Sequence, residues 1–338
     1  MTSSSPACTE TLLRVSTSAN NYDFSGYVHG SLPPVQPISG TFEIQIRFSE
    51  PTVKSHNVSR AETLLVLLPG ATYNTDYWDL AFQPETYSFV RLAAARGYAT
   101  LNLARLGDGK SEHPDPTIVQ VPLQAALLRS VLRLVRDGAV PGAVGRRFTR
   151  IVGFGHSLSS GIMNQVIIDE PDTLDAVVFT GYAHIASGPF PPLPGFVTAN
   201  NVSPERFGHL ADAYYTTPTV DVRRDMFYGP SGTYDPALLE YDDAHKDLVT
   251  EREVTTFGMA NVTAPDFRGH VLTIAGEHDA VFSRLPGCAN VESEGQYYPN
   301  AKSVENVIIK DAGHNLNLHL NTPMFFEKVL NWLDRHGF

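Results

Sequence analysis

The sequence predicts an α/β protein: a mostly parallel central sheet flanked by helices and interrupted by an inserted cap, or lid. Three observations lead there. Short, continuous apolar runs recur along the chain, and such runs suit strands covered on both faces, as in a parallel sheet. Segments with apolar residues at helical spacing separate them. Between about residues 184 and 268 that alternation lapses, and a structureless stretch of this length is out of place inside a compact domain. The bulk composition permits the fold: 338 residues, 42% hydrophobic and 18% charged, supply enough apolar side chains for a sizeable core.

Residues 1–40 are polar and punctuated by Pro and Gly, ending in Leu32-Pro33-Pro34-Val35-Gln36-Pro37, and read as a tail and irregular lead-in. Residues 41–48 alternate apolar and polar, the pattern of a half-buried antiparallel strand. Residues 63–68 form the first continuous apolar run, stopped by Pro69-Gly70. A helix is expected over 88–96, a strand over 98–103, and a helix over 121–137 with Leu123, Leu127, Val131 and Val135 on one face. Strands over 150–154 and 174–180 flank a helix over 158–169. Helical patches at 205–214 and 236–250 are all that the Pro-, Gly- and Tyr-rich insertion offers. The core resumes with strands at 271–275 and 304–309 and closes with a helix over 322–336, opened by Asn321-Thr322-Pro323 in the manner of an N-cap. The expected division is therefore tail 1–40, first core part 41–185, cap 186–268 and second core part 269–338.

The formal net charge is −11, and no Lys/Arg run stands out, which argues against nucleic acid and anionic membrane surfaces as partners. No stretch is long and apolar enough to span a bilayer, and the first thirty residues hold no apolar secretory core. Only two cysteines occur, Cys8 and Cys288. Together these lead us to expect a cytoplasmic protein with unpaired thiols.

The chemistry centres on Gly155-His156-Ser157-Leu158-Ser159, where an apolar strand runs straight into a helix. A serine on so sharp a turn needs small residues two positions away on either side; Gly155 and Ser159 meet that need. A hydroxyl is a weak nucleophile without a base. Of twelve histidines, His314 in Asp311-Ala312-Gly313-His314-Asn315 is the best placed, just past the last strand. His156 should point away from the serine hydroxyl, and His319, His184 and His245 are fallbacks. A carboxylate must orient the imidazole; Asp279, directly after the strand over 271–275, is the candidate, with Glu277 as runner-up. Backbone N–H groups of Leu158 and Ala71 are the candidate oxyanion donors. Tyr73, Tyr77, Trp78, Tyr182 and His184 are candidates for the substrate-binding wall, while Tyr214, Tyr215, Phe227 and Tyr228 either line the pocket or pack the cap. No metal-ligand cluster and no dinucleotide fingerprint is present, so neither a metal nor an organic cofactor is implied.

With these residues in view, the chain resembles the α/β-hydrolase superfamily over residues 40–185 and 268–338. The Gly-rich loop Asn102-Leu103-Ala104-Arg105-Leu106-Gly107-Asp108-Gly109-Lys110-Ser111 looks like the one that follows the next core strand in esterase-like and epoxide-hydrolase-like members. Those often carry His-Gly in place of Pro69-Gly70 and an acidic residue in place of Ala104. The chain is also similar in general character to capped hydrolases of fungal natural-product pathways. The resemblance implies an α/β-hydrolase fold and the chain order Ser…Asp…His. The serine at the elbow points to acyl chemistry: hydrolysis of a carboxylic ester, lactone or thioester of a mostly apolar small molecule through an acyl-enzyme. Two other readings stand beside it: an acyltransferase or cyclase of a polyketide-like metabolite using the same triad, and a non-catalytic ligand-binding protein on a hydrolase scaffold.

Overall fold

The computed structural model describes residues 5–26, 31–53, 58–184, 195–282 and 288–338. Its strands are β1 (Cys8–Tyr22), β2 (Val35–Ser49), β3 (Thr63–Leu68), β4 (Ala99–Leu103), β5 (Arg150–His156), β6 (Ala176–Thr180), β7 (Val197–Thr198), β8 (Tyr214–Thr216), β9 (Val249–Thr250), β10 (His270–Gly276) and β11 (Ser303–Ile309). Eight of them form the central sheet in the order β1-β2-β4-β3-β5-β6-β10-β11, and β7-β8-β9 form a small separate sheet. From β4 to β11 every pairing in the central sheet is parallel; β2 joins β4 antiparallel, and β1 joins β2 the same way.

The helices that matter here are α1 (Phe89–Ala95), α2 (Val121–Arg136), α3 (Leu158–Asp169), α4 (Val220–Phe227), α5 (Pro236–His245), α6 (Glu251–Phe257) and α7 (Thr322–Arg335). The apolar runs explain the layering. Every residue of β3 is buried, and strand geometry sends alternate side chains to opposite faces. Leu64, Val66 and Leu68 accordingly join one core with Leu127 and Val131 of α2 and Ile162 and Val166 of α3. Leu65 and Leu67 join the other core with Phe89 of α1 and Phe326, Val329 and Leu330 of α7. Two helical layers thus cover one sheet, each buried large side chain contributing roughly 1.5–3 kcal/mol.

The expected core strands and helices are present with ends shifted by a few residues. Residues 1–40 need correcting where they are described. Cys8–Tyr22 is a fifteen-residue strand paired with β2 along its whole length, from Cys8↔Ser49 to Tyr22↔Val35. Val15 is its only fully buried apolar side chain, with Leu13 and Ala19 half-buried beside it against the core, so the cross-strand ladder is joined by only a thin apolar face. The patch at 205–214 also differs: it holds a single helical turn, Pro204–Phe207, and Tyr214 already belongs to β8. Of the patch at 236–250, Pro236–His245 is helical and Val249–Thr250 is strand. Residues 186–194, the start of the expected cap, lie outside the described residues. Cys8 and Cys288 are free thiols. Among the described residues no helix is long and apolar enough to cross a membrane.

The parallel strands bring four loops to one edge of the sheet. The loops after β3, β5, β10 and β11 all leave from carboxyl ends, the side on which open α/β sheets collect their ligands. The candidate oxyanion loop, Ser157, Asp279 and His314 lie on these four loops in that order.

Candidate active site

β5 is buried from Ile151 onward and delivers the chain to Ser157 at φ 53° and ψ −118°, after which α3 begins at Leu158. A non-glycine residue at positive φ is strained by roughly 1–3 kcal/mol and persists only where its surroundings hold it. Here the Ser157 N–H donates to the Thr180 carbonyl of β6 at 2.8 Å, and the Ser157 carbonyl accepts from Ser160 N, also at 2.8 Å. The turn is tight enough that a Cβ on Gly155 would lie 2.5 Å from the Ser159 carbonyl oxygen. Ser159, fully buried, uses its hydroxyl to donate to the Pro69 carbonyl. The second small residue of the elbow therefore also ties it to the neighbouring loop.

His314 and Asp279 meet as a pair. His314 Nδ1 lies 2.9 Å from Asp279 Oδ2, and both side chains are buried. Asp279 Oδ1 accepts from the N–H groups of Val281 at 2.8 Å and Phe282 at 2.9 Å. With Nδ1 engaged, Nε2 is the ring nitrogen left for chemistry. The ring is flanked by Phe227, with centroids 5.5 Å apart, and Phe282 at 5.7 Å, both near-parallel to it. Ser157 and His314 both abut the turn after β6: Ser157 bonds Thr180, and a Cβ on Gly181 would lie 3.1 Å from His314 Cε1. Among the described residues no hydrogen bond joins the Ser157 hydroxyl to the His314 ring; what the two share is this turn. Glu277, the runner-up carboxylate, is exposed and accepts from Asp311 N at 3.1 Å; it makes no pair with His314.

His156, expected to point away from the hydroxyl, is engaged by other partners. Its Nδ1 is 3.1 Å from both oxygens of Thr180, its Nε2 is 3.3 Å from Asn315 Oδ1, and its ring stacks on Tyr77 at 4.4 Å. Burial, reinforced by the nearby His314 ring, holds its pKa well below the usual imidazole range, so it stays neutral.

The candidate oxyanion donors belong to the two segments that meet at this turn. Among the described residues no backbone carbonyl accepts from Leu158 N or Ala71 N. The loop carrying Ala71 lies against the elbow: a Cβ on Gly70 would come within 3.1 Å of Ser157 Cβ and 2.7 Å of His156 Cδ2. Arg105 pins that loop, its Nη1 donating to Pro69 O at 2.9 Å and to Gly70 O. Arg105 is fully buried and is balanced by Asp108 at 2.6 Å and Glu253 at 3.1 Å. The sequence marked Arg105 only as part of a Gly-rich loop; its reach back to Pro69-Gly70 has no sequence signal.

Of the residues expected to wall the pocket, Tyr73 and Tyr182 stand one layer back. Tyr73 packs on Phe227 and Tyr182 on Phe282, the two rings that flank the imidazole. Trp78 donates from Nε1 to Leu68 O at 3.0 Å, and Tyr77 lies under His156. His184 is tied by Nδ1 to the buried Glu294 at 2.7 Å and stacks on Tyr297 at 3.8 Å. The sequence reading missed Phe282, which follows Asp279 closely enough to have been suspected. It also missed the roles of Asn315 and Arg223, polar residues that depend on distant partners, and offered His319 only as a fallback base.

The Alpha/beta hydrolase family matches residues 65–326 of the chain. A search of the curated proteins found no match by sequence. Among solved structures, a thermophilic esterase from Thermogutta terrifontis is 14% identical with a TM-score of 0.56, covering 97% of this chain and 100% of its own. An esterase from Exiguobacterium antarcticum is 13% identical with a TM-score of 0.58, covering 87% of this chain and 96% of its own. A peroxisomal alpha-beta-hydrolase from Saccharomyces cerevisiae is 10% identical with a TM-score of 0.54, covering 98% and 90%. At these identities the likeness is one of fold.

Proposed function

Because the chain belongs to the alpha/beta hydrolase family, we propose that it is a serine hydrolase cleaving an ester, lactone or thioester of a mostly apolar small molecule. One observation carries the reading: the buried hydrogen bond from His314 Nδ1 to Asp279 Oδ2 sits at the sheet edge that also bears a serine in strained backbone geometry. Together these features are what nucleophilic acyl transfer requires.

In the proposed course, Ser157 Oγ attacks the carbonyl carbon while His314 Nε2 takes the hydroxyl proton. Asp279 holds the ring and stabilises the imidazolium. The N–H groups of Ala71 and Leu158 bind the tetrahedral oxyanion, each worth roughly 2.7–4 kcal/mol where such donors have been removed. His314 returns its proton to the leaving alkoxide or thiolate. Water then attacks the acyl-enzyme with the same imidazole as base and releases the acid. Residues 186–268 serve as a cap that sets specificity. Phe227 and Phe282 form the apolar walls beside the imidazole, and Tyr73 and Tyr182 support them from behind.

The test is Ser157→Ala. Turnover of p-nitrophenyl butyrate should fall by roughly three orders of magnitude or more with the fold intact, and labelling by a fluorophosphonate should disappear. Retained turnover would end the acyl-enzyme proposal, and absence of labelling in the unaltered protein would favour a ligand-binding role. The aromatic flanks of His314 also favour a second reading, in which a substrate nucleophile replaces water and the protein is an acyltransferase or cyclase. Reaction in heavy-oxygen water separates the two: hydrolysis places the label in the product acid, and transfer does not.

A further inference from the structure

Arg223 lies on α4 and Asp242 on α5, both in the inserted segment, and the two form a buried bidentate ion pair. Arg223 Nε is 2.7 Å from Asp242 Oδ2 and Nη2 is 2.9 Å from Oδ1; Arg223 is fully buried and Asp242 nearly so. Buried ion pairs are weak sources of stability, because desolvation consumes most of the attraction and apolar replacements often serve as well. The remaining contacts of this pair suggest another use. Arg223 Nη1 donates to Thr72 Oγ1 at 3.1 Å and to Thr217 Oγ1 at 3.3 Å. The guanidinium carbon lies 4.4 Å over the ring of Tyr73, and the Tyr73 hydroxyl donates to Asp242 Oδ2 at 3.0 Å.

Thr72 and Tyr73 are the two residues that follow Ala71. Thr72 has φ 64°, a left-handed conformation that a β-branched residue adopts only under constraint. Its backbone is clamped by the same segment: Thr72 N donates to Leu248 O at 2.9 Å, and Asp247 N donates to Thr72 O at 2.8 Å. That twist and these bonds fix the Ala71–Thr72 peptide and so the C-terminal side of Ala71. The Ala71 N–H itself lies in the Gly70–Ala71 peptide, whose Gly70 carbonyl is held by Arg105, so Ala71 is anchored from both sides. The cluster also reaches the other side of the site. Asn315, next to His314, donates from Nδ2 to the Tyr73 hydroxyl, and the Tyr228 hydroxyl donates to Asp242 Oδ2 at 2.9 Å.

We propose that Arg223 and Asp242 are positioning residues: through Thr72 and Tyr73 they hold the Ala71 N–H toward the oxyanion of the tetrahedral intermediate. The inserted segment then contributes to rate as well as to specificity. The proposal rests on the serine-hydrolase reading above.

The experiment replaces the pair together, Arg223→Met with Asp242→Leu, so that no unpaired charge is buried, and separately makes Thr72→Val, which deletes only the connecting hydroxyl. Kinetics on p-nitrophenyl butyrate are read beside the affinity of an alkyl trifluoromethyl ketone, which forms the tetrahedral adduct, and beside thermal unfolding. The expected result is a kcat lowered roughly 10- to 100-fold with KM little changed and a matching loss of ketone affinity. The unfolding midpoint should stay within about 5 °C of the parent. Arg223→Lys, which keeps the charge but not the planar fork, should recover only part of the rate. If the folded double variant keeps its kcat, or loses kcat while ketone affinity holds, the proposal is overturned. Should the double variant not fold, Thr72→Val decides by the same criteria. Failure of the underlying reading looks different: the unaltered protein would bind no ketone, and Ser157→Ala would remain active.

Discussion

A methyl group added to Gly155 would sit 2.5 Å from the Ser159 carbonyl oxygen and 2.6 Å from the Ser160 nitrogen. Both are backbone atoms of the first helical turn, so the clash cannot be relieved by rotating a side chain. Gly155→Ala is therefore expected to cost about 1–3 kcal/mol, read as a lower urea midpoint, and to lower esterase activity by displacing Ser157. A variant that matched the parent in both would show that the elbow yields more easily than its spacing implies. Gly155 was legible in the sequence because a serine on such a turn demands small neighbours at fixed offsets. Ser157, Asp279 and His314 stand out for a related reason: each closely follows an apolar strand, and the chemistry restricts the residue type. Arg223 was not legible. In Val220-Asp221-Val222-Arg223-Arg224-Asp225 it reads as one of several charges on a solvated helix, and only its partners in α5 and at Thr72 set it apart from Arg224, which is partly exposed.

Between β11 and α7 the loop that carries His314 is held by another histidine. His319 Nε2 accepts from Gly313 N and from Gly229 N, each at 2.9 Å, while its Nδ1 lies 2.8 Å from Asn315 O. Two amide donors aimed at Nε2 require that nitrogen to be unprotonated, and burial, aided by the charge of His278, pushes the pKa down from 6.5 to about 4. The unfolded chain therefore takes up this proton first as pH falls. The contribution to stability is complete above about pH 6.5 and is lost between there and pH 4, amounting to at most about 3 kcal/mol; His156 acts in the same direction. Urea midpoints measured from pH 7.5 to 4.5 should fall, and His319→Gln should flatten that dependence because an amide oxygen accepts without titrating. An unchanged slope in the variant would assign the acid lability elsewhere. Core strands were easier to foresee than this loop, since β3, β5, β6 and β10 announce themselves as apolar runs. β1 did not, because its inward face alternates a few apolar residues with Thr17 and Asn21.

Over the whole molecule the excess of acidic groups amounts to a net charge of −11, which sets a negative field around the site that salt screens within about 10 Å at 0.1 M. An ester carrying a free carboxylate should gain kcat/KM severalfold between low salt and roughly 0.5 M, whereas an uncharged ester of the same size should not. Equal salt responses would mean that local groups cancel the global field. The layered architecture was readable from the alternation of strands and helices, which is a property of the whole chain. The inserted segment was readable only as an interruption, because its strands are two or three residues long and its polar pairs join distant positions. That segment is also stitched to the sheet edge that bears the candidate site. Phe227 O accepts from Asn315 N at 2.9 Å, and a Cβ on Gly313 would lie 2.4 Å from the Tyr228 carbonyl carbon. Residues 227–229 and 313–319 therefore form a lock and its keyway. A chimera that grafted a foreign lid onto this scaffold, hoping to inherit a new substrate range, would have to transplant both halves or forfeit the turnover along with the old selectivity.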